Sequence, residues 1–285
     1  MIDGFINLNK PSGMTSHDAV NRVRKIFSTR KVGHAGTLDP QACGVLPVAI
    51  NQATKFIEYL ADSDKTYRAE ILFGTATVSG DLEGEVIARA ENFHMPTADE
   101  LNAVMKNFVG EIEQTPPKFS AIKIHGRKAY DLARKNLAFD MPTRRVKISR
   151  LELVAIDENS ATIEIDCGKG TYIRSLAIDI GERLNLPATL KNLLRLKVGD
   201  FDLKSSLTLD EIKNFGEDCL LPIEDCLKHL PTFELDERRI RAFMNGLPTT
   251  IHLPDEKVLR IISGGKFLGV GRIEGGELRS SKIIA

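Results

Sequence analysis

The sequence predicts an α+β protein with a mixed, mostly antiparallel central sheet and flanking helices, followed by a small C-terminal β-barrel. Helix-like and strand-like segments follow one another in an order that mixes hairpins with crossovers, which disfavours a doubly wound sheet. The 285 residues are 42% hydrophobic, enough for one large core and a small second domain. After residue 230, short apolar runs separated by Gly-Gly pairs are typical of a small antiparallel barrel. We therefore expect one domain over residues 1–230 and a second over residues 231–285.

The first part of the larger domain shows clear local patterns. Thr15 or Ser16 can cap a helix that ends near residue 27. Thr97 and Glu100 form a capping-box pattern that opens another helix. The other elements predicted here are strands at 5–9, 45–50 and 66–73 and a short helix at 53–60.

The second part of the chain alternates strands with helices and then becomes rich in strands. Up to residue 184 we expect a strand at 120–124, a basic helix at 127–135, long strands at 146–156 and 161–166, and a helix at 172–184. The smaller domain is expected to hold a helix at 237–245 and strands at 257–263, 266–271 and 278–284.

Composition and motifs disfavour several classes of site. The cysteines form no C-x-x-C pair, which argues against a zinc knuckle and a disulfide framework, and the six histidines show no metal-ligand spacing. Neither G-x-x-x-x-G-K-[ST] nor G-x-G-x-x-G occurs, which disfavours nucleotide hydrolysis. The start of the chain lacks a signal-like pattern and no long apolar run follows, so a cytoplasmic location without a membrane partner is expected. We expect reduced thiols at Cys43, Cys167, Cys219 and Cys226.

The net charge of zero hides a strong segregation of charge along the chain. Residues 118–150 hold ten Lys or Arg against two Asp, a balance of +8. Residues 61–117 hold eleven acids against four bases, and residues 201–236 hold nine against three, which gives −7 and −6. A polyanion binder gains affinity from each phosphate that its basic residues neutralise. The basic block therefore indicates either a nucleic-acid surface or a solvated face that serves solubility.

Asp39 is the most unusual acidic residue of the chain. It lies in the glycine-rich stretch 33–40 and is followed by an apolar segment, and no basic residue occurs between Lys31 and Lys55. A carboxylate in such surroundings needs a distant cationic partner or a chemical role. The alternative, an Asp that only caps a turn before Pro40, remains open at this level.

Arg174 and Tyr67 are further candidates, each with an ordinary alternative. Arg174 is expected in the first turn of a helix, where a cation opposes the helix dipole, so it is suited to grip a carboxylate or a phosphate. It could equally be a surface arginine that extends its head into water. Tyr67 taken alone fits an ordinary aromatic residue of a strand.

Four short blocks, in this order and spacing, carry a resemblance that none of them carries alone: NKPSGMTS at 9–16, GHAGTLDP at 33–40, KTYR at 65–68 and GTYIR at 170–174. Together they resemble the bacterial tRNA pseudouridine-55 synthases of the TruB type. Leu193-Leu194-Arg195 falls where that family has a later Leu-Arg motif. The tail resembles the small RNA-binding PUA-type domain of the family, so the resemblance covers the whole chain and implies a pseudouridine synthase-like fold.

The resemblance implies an isomerase that converts a uridine in the T loop of tRNA, position 55, to pseudouridine without a cofactor or a metal. Asp39 corresponds to the catalytic residue, which attacks the base or the sugar carbon or acts as a base at the sugar. Arg174 resembles the arginine that pairs with it, which would keep the carboxylate ionised in an apolar pocket. Tyr67 resembles the tyrosine that lies over the target base and is suited to stacking or to removal of the C5 proton.

Other positions are carried over as substrate-binding residues. His34 resembles the residue that enters the RNA loop after the uridine has flipped out, where a ring offsets part of the cost of flipping. Leu193 is expected to line the uracil pocket, and Tyr172 is expected to bind the substrate. Lys10 is expected to support the pocket or the structure rather than the chemistry. Leu194 stands where the family usually has a basic residue, so no RNA contact is assigned to it.

The partner implied by the resemblance is tRNA, bound through its T arm by a monomer, with no protein partner predicted. The expected contacts to the RNA backbone are Lys118, Lys123, Arg127, Lys128, Arg144 and Arg145, and the tail residues expected towards the acceptor stem are Arg238, Arg239, Arg241 and Lys282. The alternative function is a tRNA-binding or tRNA-folding module without catalysis. The presence of Asp39, Tyr67 and Arg174 together favours the enzyme, because a pure binder has no need of a carboxylate that repels phosphates.

Overall fold

The fold is given by a computed structural model that describes residues 2–120, 122–124, 126–135 and 137–284. Within these ranges the strands are β1 (Gly4–Lys10), β2 (Val32–His34), β3 (Cys43–Ile50), β4 (Lys65–Phe73), β5 (Thr75–Thr77), β6 (Val86–Arg89), β7 (Gly110–Gln114), β8 (Lys123–Ile124), β9 (Arg127–Lys128), β10 (Arg144–Ile156), β11 (Ser160–Cys167), β12 (Ala188–Val198), β13 (Phe201–Asp202), β14 (Thr232–Glu234), β15 (Thr249–Thr250), β16 (Glu256–Ser263), β17 (Lys266–Glu274) and β18 (Glu277–Ile283). The α-helices are α1 (Ser16–Ile26), α2 (Ile57–Ala61), α3 (Ala98–Met105), α4 (Ala129–Arg134), α5 (Ile173–Arg183), α6 (Leu209–Phe215), α7 (Ile223–Cys226) and α8 (Ile240–Met244).

The main sheet has nine strands in the described residues and is mixed but mostly antiparallel, as the sequence predicts. Seven strands follow the order β1-β3-β12-β4-β11-β10-β7, while β2 pairs with β3 and β13 pairs with β12. A parallel pair joins β12 to β3, where Leu194 lies opposite Cys43. Gly44 permits this close approach, because a Cβ atom there would lie 2.3 Å from the Arg195 carbonyl oxygen. The site described below lies at this parallel junction.

Helices flank the sheet and bury their apolar stripes against it. Thr15 caps α1 in a capping box with Asp18, and Val20 and Val23 of this helix pack with strands β1 and β3. Seven of the eleven residues of helix α5 are buried, and the helix belongs to the largest core cluster together with β4 and β11. These two helices are important for the site because each begins beside it.

Strand β12 lies in the middle of the sheet, yet no strand was predicted from its sequence. It pairs with β4 through an interrupted register, with bulges between Leu190 and Asn192 and between Arg195 and Lys197. Each bulge shifts the side-chain alternation by one residue, so the period-two pattern is lost. The strand also carries polar residues, since Lys191 and Asn192 bind Glu70 on the neighbouring strand.

The prediction for residues 120–135 was partly wrong. Of the expected strand at 120–124, residue 121 lies outside the described residues, and the described part forms only the two-residue β8. The expected basic helix at 127–135 begins two residues later as α4. Arg127 and Lys128 belong instead to β9, which pairs with β8 across a turn containing Gly126 at a φ of +82°. Glycine adopts this conformation readily, and it favours a hairpin over the start of a helix.

The C-terminal residues form a five-stranded sheet in the order β14-β16-β17-β18-β15, with one parallel pair between β14 and β16 in the described chain. The expected barrel is a half-barrel, since β14 and β15 are the two edges of this described sheet. Phe243 of α8 covers its apolar face. Phe267 and Val270 of this sheet also pack in a cluster with Phe56, so the two parts of the chain share core contacts. The boundary at residue 231 stays a prediction.

The expected reduced cysteines agree with the structure, in which all four thiols are free. No helix in the described part of the chain is both long enough and apolar enough to cross a membrane.

Candidate active site

Asp39 lies in the loop between β2 and β3, and buried polar contacts hold this loop in place. Ser16, the first residue of α1, donates from its hydroxyl to the Leu38 carbonyl at 2.9 Å and accepts from the Leu38 amide at 2.8 Å. The Ala42 amide donates to the Asp39 carbonyl at 3.1 Å. The backbone on both sides of Asp39 is therefore fixed, which gives its carboxylate a defined position.

Lys10 ties the first sequence block to the same loop. Its side chain is fully buried, and its ammonium donates to the carbonyls of Pro11 at 2.8 Å, Met14 at 2.6 Å and Pro40 at 3.2 Å. Burial lowers the pKa of Lys10 to about 8, with the Arg195 charge acting in the same direction and Asp39 opposing it. These contacts agree with the supporting role expected for Lys10.

Arg195, which lies on β12, also holds this loop in place. Its guanidinium is buried and donates to the carbonyls of Val45 at 2.7 Å, Gly36 at 3.0 Å and Thr37 at 3.4 Å. Across the sheet Arg195 lies directly opposite Tyr67 of β4. One side chain therefore connects the loop that carries Asp39 with the tyrosine expected over the substrate.

The loop that carries Asp39, together with residues of β4, β12 and the start of α5, surrounds a cavity of about 320 Å³. Among the described side chains that line it, Asp39 is the single carboxylate, whereas four are cationic. The lining includes Asp39, Lys65, Tyr67, Ser120, Lys169, Tyr172, Arg174, Leu193 and Arg195. Such a wall suits a small planar ligand that carries oxygen acceptors or negative charge.

Asp39 and Arg174 form an ion pair at the edge of this cavity. Arg174 Nη2 lies 3.0 Å from Asp39 Oδ2, and the arginine side chain is only 6% exposed. The same guanidinium also contacts Asp81, with 3.3 Å between Nη1 and Oδ2. The carbonyls of Ser79 and Phe119 accept from Nη1 and Nη2 at 3.1 and 3.0 Å. Arg174 is thus shared by two carboxylates, and backbone oxygens fix its orientation.

The environment of Asp39 raises the pKa of its carboxyl group. Burial is the main cause, the charges of Asp81 and Glu83 act in the same direction, and Arg174 is the principal opposing group. The side chain is 44% exposed and lines the cavity. Arg174 therefore opposes this rise and favours the ionised form of Asp39.

Tyr67 lies in the wall of the cavity and is 8% exposed. Burial raises the pKa of its phenol, while the charge of Arg195 and a hydrogen bond from it oppose this rise. The phenol is consequently neutral near pH 7. Its ring provides an apolar surface, and its hydroxyl needs a partner such as Arg195 before it can lose a proton.

The other expected binding residues take different positions. Leu193 and Tyr172 line the cavity, and Tyr172 is fixed because its backbone exchanges hydrogen bonds with Gln114 at 2.7 and 3.1 Å. His34 ends β2 and does not line the cavity. Its Nδ1 is buried without a hydrogen-bond partner in the described residues, and burial lowers its pKa, so the ring is neutral.

The basic residues expected on the RNA backbone lie near the β8–β9 hairpin and the start of β10. All five whose side chains are described are exposed, and none of these five forms an ion pair within the described ranges: Lys118, Lys123, Arg127, Arg144 and Arg145. The side chain of Lys128 lies outside the described part of the protein. In the tail, Arg238 pairs with Asp236 at 3.0 Å and Lys282 with Glu58 at 3.2 Å, so these two cations are already neutralised.

Two residues of the site were missed from the sequence as functional groups. Asp81 was counted only within an acidic stretch that is typical of a solvated surface, although its side chain is 16% exposed and contacts Arg174. Its position between Gly80 and Gly84 is the local signal that could have separated it from its acidic neighbours. Arg195 was noted as part of a motif without a role, and its burial could not be foreseen because β12 was not predicted.

No cluster of three or more metal-ligating side chains occurs in the parts of the chain that the structure describes.

Comparison with known proteins is consistent across family, sequence and fold. The family described as "TruB family pseudouridylate synthase (N terminal domain)" matches residues 24–173, and "Pseudouridine synthase II TruB, C-terminal" matches residues 231–284. A Bacillus pumilus protein named tRNA pseudouridine synthase B is 44% identical over 90% of this chain and 85% of its own length. A protein of the same name from Caldanaerobacter subterraneus is 41% identical over 99% of both chains.

The fold is also shared with a solved structure. A chain in the crystal structure of a Cbf5-Nop10-Gar1 complex matches with a TM-score of 0.78 at 25% identity, over 98% of this chain and 84% of that one. The family match covers more than half of the chain, and the residues that carry it include the loop with Asp39 and the strand with Tyr67. This chain belongs to the TruB family of pseudouridylate synthases.

Proposed function

We propose that this protein isomerises the uridine at position 55, in the T loop of tRNA, to pseudouridine, with Asp39 as the catalytic residue. The observation that carries the proposal is the Asp39–Arg174 ion pair at 3.0 Å beside a cavity of about 320 Å³, in a chain of this family. Relatives named tRNA pseudouridine synthase B support tRNA as the substrate.

The reaction breaks the N1–C1′ bond of the uridine, joins C1′ to C5 and moves a proton from C5 to N1. Asp39 in its ionised form attacks the base or the sugar carbon, or removes a proton from the sugar. Arg174 stabilises this ionised form, and Asp81 and the two backbone carbonyls keep the guanidinium in place. Asp81 is therefore a positioning residue, which acts on the carboxylate through Arg174.

The cavity retains the base while it is detached from the sugar. Tyr67 and Leu193 provide apolar surface for the ring, and the cations Lys65 and Arg195 favour the negative charge that uracil takes when N1 keeps the bond electrons. Tyr67 is suited to stacking throughout and to C5 proton removal with help from Arg195. Tyr172 contributes to the same wall.

The uridine must leave the RNA stack to reach Asp39, and His34 is proposed to occupy the space that it vacates. A neutral imidazole is suited to stacking between bases, and it is already partly desolvated here. Lys118, Lys123, Arg127, Lys128, Arg144 and Arg145 are proposed to contact phosphates of the T arm. The half-barrel over 231–285 is proposed as a PUA-like domain that adds RNA contacts, and the protein is proposed to bind tRNA as a monomer.

The decisive experiment is pseudouridine formation in an unmodified tRNA transcript, with wild-type protein and the Asp39→Asn variant compared side by side and no cofactor or metal added. We expect product at the T-loop uridine with wild type only. The variant should bind tRNA within a few fold of wild type, because the substitution removes a charge that contacts no phosphate.

Turnover by the Asp39→Asn variant would refute the role of Asp39. Tight tRNA binding by wild-type protein without any product would favour a binding or folding module instead. The Asp157→Asn variant serves as a matched control, since Asp157 is exposed in the turn between β10 and β11 and does not line the cavity. It should retain full turnover.

A further inference from the structure

The cavity contains a buried hydroxyl group that none of the roles above uses. Ser120 is 6% exposed and lines the cavity, and its Oγ is buried without a hydrogen-bond partner in the described residues. Removing a hydroxyl from water without giving it a partner opposes folding. Such a group in a ligand-sized cavity is best explained by a partner that arrives with the substrate.

The backbone around Ser120 is fixed in place. Its carbonyl accepts from the Tyr130 amide at 3.0 Å, and the Phe119 ring packs edge-on against the Tyr130 ring with 6.1 Å between centroids. The Phe119 carbonyl accepts from Arg174 Nη2 at 3.0 Å. Ser120 is therefore held before any ligand binds, so a contact that it makes with a ligand has little ordering cost.

The position of Ser120 relates it directly to Asp39. The carbonyl of the preceding residue, Phe119, and Asp39 Oδ2 both contact the same nitrogen of Arg174, each at 3.0 Å. Asp39 acts at the glycosidic bond or at an atom next to it. The polar groups of a uridine nearest to that bond are the ribose 2′-hydroxyl and the uracil O2, and a serine hydroxyl can bind either one.

Arg174 itself has little capacity left for this task. Its two terminal nitrogens already contact the oxygens of Asp39, Asp81, Ser79 and Phe119. Arg174 Nε is also buried without a partner in the described residues, but it can only donate, whereas the adjacent Ser120 hydroxyl can both donate and accept.

We propose that the Ser120 hydroxyl is a substrate-binding group that hydrogen-bonds the flipped uridine next to its glycosidic bond, at the ribose 2′-hydroxyl or at the uracil O2. This assignment rests on the proposed function. The unpartnered Ser120 hydroxyl then lowers the stability of the free protein, and its hydrogen bond stabilises the complex with RNA.

The test is the Ser120→Ala variant, studied as the full chain. Because the change removes an unpartnered hydroxyl, the thermal midpoint of the free protein should stay equal or rise. The value of kcat/KM for a T-arm RNA should fall about tenfold, the reduction expected when one hydrogen bond is removed.

The Ser160→Ala variant is the matched control. It also removes a buried hydroxyl, but this one donates to Glu70 Oε1 at 2.9 Å and lies away from the cavity. The control should lower the thermal midpoint and leave kcat/KM unchanged. The two variants thus predict opposite patterns of stability and activity.

The affinity for an RNA with 2′-deoxyuridine at the target position distinguishes the two possible partners of Ser120, the ribose 2′-hydroxyl and the uracil O2. Equal affinity of wild type and Ser120→Ala for this RNA identifies the 2′-hydroxyl as the partner, and weaker binding by the variant identifies uracil O2. The proposal is overturned if Ser120→Ala processes the ribose substrate within twofold of wild type, or if its thermal midpoint falls. Absence of product with wild-type protein would instead refute the proposed function itself.

Discussion

At the scale of single residues, the site depends on one arginine shared by two carboxylates. The guanidinium of Arg174 contacts Asp39 at 3.0 Å and Asp81 at 3.3 Å, and both carboxylates lie where surrounding protein restricts their contact with water. Two like charges near each other favour protonation of one of them. The charge state of Asp39 is therefore set by its burial, by Arg174 and by its acidic neighbours, which makes the pH dependence of activity informative.

We expect kcat/KM to fall on the acid side at a pH above the ordinary pKa of aspartate, about 3.9. The reason is that the pKa of Asp39 is raised, and activity that needs the ionised form is lost as the pH falls through that pKa. The Asp81→Asn variant removes one cause of the rise and should move this acid limb to lower pH. The measurement is a pH profile of kcat/KM, normalised to its maximum.

The Asp157→Asn variant, with an exposed carboxylate elsewhere, should leave the profile unchanged. A shift of the Asp81→Asn limb to higher pH would show that Asp81 supports ionisation of Asp39 instead, by holding Arg174 in place more than by repelling the carboxylate.

The site residues that the sequence could locate are those whose surroundings are unusual for their residue type. Asp39, followed by an apolar segment, and Arg174, in the first turn of a helix, contradict local expectation and so indicate a special role. Asp81 stands among other acidic residues, and Ser120 lies in a short segment without hydrophobic periodicity. Neither residue therefore stands out from its local sequence. Their roles depend on Arg174, which lies 93 and 54 residues away in the chain, and only the folded structure brings them together.

At the scale of elements, the β8–β9 hairpin and the start of β10 present the cations proposed to bind RNA. We expect the double variant Arg127→Ala and Arg144→Ala to weaken tRNA binding and to reduce the slope of log K against log salt by about 2, or about 1 for each phosphate that is no longer neutralised. Binding measured between about 50 and 200 mM salt provides this slope. Turnover at saturating tRNA should change little, because neither side chain lines the cavity.

A matched control for this prediction is Lys106→Ala, which removes an exposed cation from the acidic part of the chain that follows α3. It should leave the salt slope unchanged. An unaltered slope in the double variant would locate the RNA-binding surface elsewhere on the protein.

Elements with regular patterns were predicted well, and elements with irregular backbone were not. Helix α1 follows from its cap at Thr15 and its apolar spacing, and β4 from its alternation. Strand β12 was missed because two bulges shift its alternation, and β9 was mistaken for the start of a helix because basic residues occur in both. Bulges depend on pairing with distant strands, which local sequence does not record.

At the scale of the whole molecule, the site is built on three neighbouring strands in the middle of the main sheet. The loop with Asp39 precedes β3, Leu193 and Arg195 lie on β12, and Tyr67 lies on β4. Because these strands are joined by hydrogen bonding, the relative positions of the three groups are fixed by the sheet, as catalysis by preorganised groups requires.

The C-terminal half-barrel shares a core cluster with this sheet, and its stability should be coupled to that of the rest of the chain. The Phe267 ring packs on Phe56 with 5.9 Å between centroids, and it is 6% exposed. We expect Phe267→Ala to lower the free energy of unfolding by about 3–5 kcal/mol. Urea unfolding followed by far-UV circular dichroism should show a single transition, moved to lower urea.

A comparable change in the core of the half-barrel alone, Phe243→Ala, is the control, since Phe243 packs in a separate cluster. If Phe267→Ala instead produced two separate transitions, the two parts of the chain would be independent units and the shared cluster would contribute little.

The ammonium of Lys10 should make the activity of the protein sensitive to alkaline pH. It uses three N–H groups to bind three carbonyls, one of them that of Pro40 beside the catalytic loop, and its pKa is about 8. Above that pH a neutral amine has only two hydrogens to donate, so one of the three hydrogen bonds is lost. The two sides of a bell-shaped activity profile would then have different origins: ionisation of Asp39, the proposed catalytic residue, on the acid side, and loss of a hydrogen bond that holds its loop on the alkaline side.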